Sequence, residues 1–222
     1  MGFTIGGIRD LRPGSRRRGR AAESVTTVAE YTGLWGWDVV PGARATRGGG
    51  EVSCSCGAAN CPSPGAHPLP CAPEVPAGST LDEATAAWAE LPGAAVLLPV
   101  GRSFDVLEVA EAAGRHALAR LERMGLPLGP VALTPHGRAL FFVAPGAAAG
   151  LPQLLYRMGW DDARLDLRGL GPGEHITAPP SDFAGLGPMR WLRPPALDAD
   201  RPPQARLLLG TLAYVCHRSA EG

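Results

Sequence analysis

FDVLEVAEAAGRHALARLERMG, residues 104–125, changes its apolar period part-way along. The first seven residues form a short run of apolar and β-branched side chains, which suits a strand. The remainder places Leu118, Leu121 and Met124 on one helical face, and Gly125 supplies a C-terminal cap. A strand feeding directly into an amphipathic helix is the seed of a mixed fold.

Outward from that seed, strands and helices interleave. AAVLLPV (94–100) precedes it across Gly101 to Ser103, and the spacing predicts a hairpin or close neighbours. PVALTP and RALFFVAP flank His136 and Gly137 as two more strands. A short helix is expected near LPQLLYRMG (151–159). RLDLR, EHITAPP and MRWLR then follow as strand candidates, and PPQARLLLGTLAYVCHR (202–218) spaces Leu208, Leu212 and Val215 as an amphipathic helix. Upstream, Val25, Val28, Ala29 and Tyr31 predict a helix within Ala21 to Trp35, and WDVVP a strand. Thr80 and Glu83 form a T-x-x-E capping box, opening a helix that carries Trp88 and stops at Pro92. The pattern is α+β, with mostly antiparallel strands carrying helices on one face.

Composition limits what this fold can do. Twenty-one basic residues balance twenty-one acidic ones, and every basic residue is arginine. Without lysine there is no Walker A phosphate loop and no Schiff base. The longest uncharged apolar run, Ala94 to Val100, is far short of the roughly 20 residues that cross a bilayer, so no membrane association and a cytoplasmic location are expected. Residues 1–20 read as a flexible arginine-rich arm whose Arg16, Arg17, Arg18 and Arg20 can touch phosphates.

The strongest chemical signal is CSCGAANCPSPGAHP (54–68), within a loop spanning 51–72. Cys54, Cys56, Cys61 and His67 bring four soft or borderline donors together through turns made by Gly57, Pro62, Pro64 and Gly65. Zinc favours tetrahedral sulfur and nitrogen sites of this kind, and an ion would also pin a long aperiodic loop. Four protein ligands close such a site, so structural zinc is expected. Cys71, four residues past His67, is an alternative fourth ligand.

Taken in order, GWDVVP, the cysteine loop ending PSPGAHP, the Trp88 helix, DVLEVA, TPHGRALFF, LDLRGLG and APPS resemble the N-terminal domain of bifunctional DNA primase/polymerases, in the archaeo-eukaryotic primase superfamily. The resemblance runs from about Ala21 to Pro194. It implies an RRM-like antiparallel sheet covered by helices, a flanking αβ unit and the zinc loop, making a domain of residues 21–195 followed by a C-terminal helix within 196–222. It also implies nucleotidyl transfer from nucleoside triphosphates on a DNA template, with Mg or Mn held by acidic side chains. Nucleic acid and nucleoside triphosphates would be the partners, and any helicase a separate one.

Residue by residue, the resemblance assigns Glu108 to the first acid of a D-x-D pair and Asp166 to a later aspartate. It places Arg168, His175 and Ser181 at nucleotide or nucleic-acid contacts. Two positions depart from the pattern: Ala110 stands at the second acid and Ala139 at a histidine. Asp105 lies three residues from Glu108 and should face the other side of the strand. The expectation is therefore a primase/polymerase-like domain with weakened or lost catalysis. A non-catalytic nucleotide or single-stranded nucleic-acid binding module is the alternative, as is a zinc-stabilised interaction domain using the helix Pro203 to Arg218.

Overall fold

The computed structural model describes residues 24–49, 51–70, 72–161, 163–196 and 201–220. The arginine-rich arm and Cys71 lie outside the described residues. Among the described residues there are ten strands and five helices: the eight strands and five helices expected from the sequence recur in order, and a hairpin ahead of the cysteine loop is additional. Helix α1 (24–34) ends in a π-helical turn, Glu30–Leu34, and leads to β1 (Val40–Gly42). The hairpin β2 (Ala45–Gly48) and β3 (Glu51–Cys54) precedes the cysteine loop. Helix α2 (Leu81–Ala89) starts at the expected capping box, with both reciprocal bonds between Thr80 and Glu83 present.

From there the chain runs β4 (Ala95–Pro99), β5 (Asp105–Ala110), α3 (Glu111–Arg123), β6 (Val131–Leu133), β7 (Arg138–Val143), α4 (Ala147–Arg157), β8 (Leu167–Leu170), β9 (His175–Thr177), β10 (Arg190–Arg193) and α5 (Ala205–Ala220). The strands pair antiparallel in two main sheets, β10-β6-β7-β5-β8 and β1-β4-β9. Within the larger sheet, β5-α3-β6-β7-α4-β8 is a βαββαβ unit with β5 and β7 central, the strand arrangement of an RRM. Of the two arrangements expected for the strands on either side of Gly101 to Ser103, the hairpin is not formed, because β4 pairs with β1 and β9 while β5 pairs with β7 and β8. Gly101 makes the break, at φ +97° and in contact with Pro172.

Alternation along β5 and β7 divides the interior in two. Leu107, Val109, Ala139, Phe141 and Val143 face α3, α4 and α5, where they pack with Leu118, Leu121, Leu208, Leu209 and Leu212. Val106, Leu140 and Phe142 face the other way, into a core shared with α1, α2 and the three-stranded sheet through Tyr31, Trp37, Trp88, Leu98 and Phe104. The five-stranded sheet is thus covered on both faces, by helices on one and by an αβ unit on the other. Helix α3 sits directly on β7. A Cβ added at Gly114 would lie 2.4 Å from that of Ala139, closer than packed atoms come. Among the described residues no helix is long and apolar enough to cross a membrane.

Candidate functional site

β5 supplies Glu108, and its parity puts that carboxylate on the side of Val106, away from α3, α4 and α5. In the adjacent ladder Glu108 stands opposite Arg168, and Asp166 lies two residues before Arg168, so all three share one face. On the other neighbour, β7, the residue on that face is Arg138, paired with Ala110.

Arg138 holds both acids. Its Nε donates to Glu108 Oε1 at 2.8 Å, and its two terminal nitrogens donate to the two oxygens of Asp166 at 2.7 and 2.8 Å. The side chains of Arg138 and Glu108 are about four-fifths covered, at 20% and 19% exposure, whereas that of Asp166 is 61% exposed. The Arg138 guanidinium holds the Asp166 carboxyl below the usual carboxylate range, against a smaller opposing effect of burial. The same bonds raise Arg138 further above its ordinary value. From behind, the Cys216 thiol donates to the Asp166 carbonyl at 3.6 Å, and burial pushes that thiol up to about 11, keeping it protonated.

The reading of β7 is corrected here. Ala139, aligned with a histidine from the sequence, is fully buried on the opposite face against Gly114. His136 and Gly137 form the turn, Arg138 opens the strand, and it is Arg138 that reaches the acids. Asp105 is also on the helix side, where Oδ2 accepts the Ala148 N–H at 2.8 Å and caps the first turn of α4. Its opposite facing from Glu108 follows the parity argument.

The remaining sequence candidates are not part of this triad. Arg168 lies on the same face, but its guanidinium pairs with Glu174, and both side chains are well exposed. His175 sits in β9 opposite Pro99, half-buried, and burial with a nearby Arg102 lowers its pKa. Ser181 Oγ accepts the Val96 N–H at 2.9 Å, tying the APPS turn to β4.

The cysteine loop folds back on β1 and collects a second group of donors. Cys54 closes β3, and the Ala43 N–H donates to the His67 carbonyl at 2.9 Å. Donor atoms of Cys54, Cys56, Cys61 and His67 all lie within 4.8 Å of one another. His67 Nε2 is 3.4 Å from both Cys54 Sγ and Cys61 Sγ, against about 3.5 Å for a sulfur–nitrogen edge of a tetrahedral zinc site. Because the Pro68 carbonyl 2.8 Å from Nδ1 can only accept, Nδ1 carries the proton and Nε2 is left with its lone pair for a metal. Burial opposes ionisation of Cys54, yet the backbone N–H groups of Cys56 and Gly65 favour the thiolate, and the thiol is brought down to about 6. Gly65 is required twice over: its φ is +70°, and a Cβ there would lie 2.4 Å from the Ala45 nitrogen. This Cys3His cluster is suited to hold a metal ion such as zinc, which would cross-link hairpin and loop without an open coordination position.

Replacing Arg138 with glutamine leaves Glu108 largely covered without its cation, and we expect a loss of about 1–2 kcal/mol in chemical denaturation. The pH response has a definite sign. Because the Asp166 pKa is lower folded than unfolded, its pairing stabilises fully above the ordinary carboxylate pKa of about 3.9 and fades as pH falls through the lowered value. The acid limb of melting temperature against pH should be shallower in Arg138→Gln than in the parent, by a small margin given the exposure of Asp166.

No curated protein and no solved structure matches the chain at a significant level. A family model described as bifunctional DNA primase/polymerase, N-terminal, matches residues 28–205. That span holds both sheets, the Cys3His loop and the strands bearing Glu108, Arg138 and Asp166, and the chain accordingly belongs to the bifunctional DNA primase/polymerase N-terminal family.

Proposed function

We propose that this is a primase/polymerase-fold domain whose nucleotidyl-transfer centre is occupied by its own arginine, and that it works as a binding module for single-stranded nucleic acid. The observation carrying the reading is the clasp of Glu108 and Asp166 by Arg138. Nucleotidyl transfer by metal ions needs carboxylates free to bind Mg or Mn, which activate a hydroxyl and neutralise the triphosphate. Here one acid position is Ala110, and the two acids that remain neutralise a guanidinium. A divalent ion about 4 Å from that fixed charge meets on the order of 8 kcal/mol of repulsion at an effective dielectric of 20. Losing Arg138 from the site to admit a metal would leave its own charge to be satisfied elsewhere.

Zinc in the Cys3His cluster is structural in this reading, and three zinc-bound thiolates suit a reducing compartment such as the cytoplasm. Primer synthesis and extension with Mg or Mn should be absent; robust extension that disappears in Asp166→Ala would sink the proposal. Binding of single-stranded DNA should fall steeply with salt. If no binding occurs at low salt, the exposed Leu207 and Tyr214 of α5 favour a protein-interaction role instead.

A further inference from the structure

A second candidate site shares no residue with the triad. A cavity of about 270 Å³ is walled by Ser24 and Thr27 of α1, by Arg44, by Gly93 to Val96 at the start of β4, and by Pro180, Ser181, Asp182 and Pro188. Its described lining combines the exposed rings of Pro180 and Pro188 with hydroxyl residues, one arginine and one aspartate. Arg44 lies against the Gly93 wall, where a Cβ would come within 3.0 Å of its Nη1. Asp182 enters from the loop on another wall, with Oδ1 already accepting the Gly185 N–H at 2.6 Å. Among the described residues Arg44 has no carboxylate partner in an ion pair, in contrast to Arg102, Arg138 and Arg168.

The position of Arg44 is set by the metal loop. Its N–H donates to Ser55 Oγ at 2.9 Å and its carbonyl accepts the Ser55 N–H at 2.9 Å, with Ser55 lying between Cys54 and Cys56. The cluster therefore holds the backbone that carries Arg44, the one arginine among the described residues of the cavity wall.

We propose that this cavity binds a nucleoside 5′-phosphate, the phosphate on Arg44 and the base against Pro180 and Pro188, with Asp182 accepting from a base N–H. A lone guanidinium suits a phosphate through paired N–H donors, and two exposed proline rings beside a carboxylate suit a nucleobase. The phosphate is that of a free nucleotide or of a strand terminus, and two probes separate these sources.

Adenosine and guanosine 5′-monophosphate are titrated calorimetrically, and a 5′-phosphorylated oligothymidylate by fluorescence anisotropy. Binding of the mononucleotides identifies a free nucleotide; binding of the oligonucleotide alone, lost on dephosphorylation, identifies a strand end. The expected result is a loss of about tenfold or more in Arg44→Gln, from one charge-assisted contact. Arg47→Gln, on the same hairpin but outside the cavity wall, should bind as the parent does. Both arginines are exposed, and a parental melting temperature checks that each variant is folded. No binding by either probe at millimolar concentration overturns the proposal, as do equal losses in the two variants, which would signify diffuse charge attraction. Primer-extension results do not bear on these outcomes, so this inference and the reading of the triad fail separately.

Discussion

Stripping zinc from the native protein, or converting Cys56 and Cys61 together to serine, is expected to lower the melting temperature by roughly 10 °C. The cluster joins the last residue of β3, the turn after it and the return segment that bonds to β1 through His67 and Leu69. Side chains around it are mostly exposed or half-buried, so little apolar burial would replace the ion. Metal binding to such a segment is largely folding free energy. A share of about 3–5 kcal/mol corresponds to a shift of roughly 10–15 °C for a chain of this size. Elemental analysis should give one zinc per chain in the parent and a strongly reduced content in the double variant. An unchanged melting temperature in a zinc-free protein would refute a structural role for the ion.

The second large effect concerns β7. Ala139→His, which places a histidine where the family resemblance expects one, is expected to cost about 3–5 kcal/mol rather than create a metal site. Its side chain would point at Gly114, already so close that α3 tolerates no Cβ there. The imidazole would also be buried among Val109, Leu118 and Phe141, with neither nitrogen partnered. Arg138→His, one residue earlier, projects instead toward Glu108 and Asp166 and should keep most of the parent's stability. Thermal unfolding of the two variants side by side separates the strand faces. Parental melting of Ala139→His would show that the face assignment is wrong.

These two predictions also mark where sequence was informative. The cysteine cluster was legible because its ligands lie within fourteen positions, so short turns alone bring them together. The strand–helix unit at 104–125 was legible because its periodicity is local. Pairing across the chain was not: nothing in AAVLLPV distinguishes a partner in FDVLEVA from partners in WDVVP and EHITAPP. Arg138 was missed for a narrower reason. The face of every residue in β7 depends on where the His136–Gly137 turn ends, and a one-residue shift exchanges the two faces. A lone arginine beside a glycine carries no signal of which carboxylates it will meet. Arg44 was equally invisible, since its place in a cavity wall depends on the meeting of α1, β4 and the 180–188 segment.

The direct seating of α3 on β7 has a mechanical consequence for the triad. At this point only the Ala139 methyl separates the backbone of α3 from that of β7, and a close-packed interior transmits displacement rather than absorbing it. Any rearrangement that frees Glu108 and Asp166 must then come from the Arg138 side chain or from the 134–137 turn, where Gly137 sits at φ +83°. The strand beneath acts as a fixed anvil, and only the clasp above it is able to open.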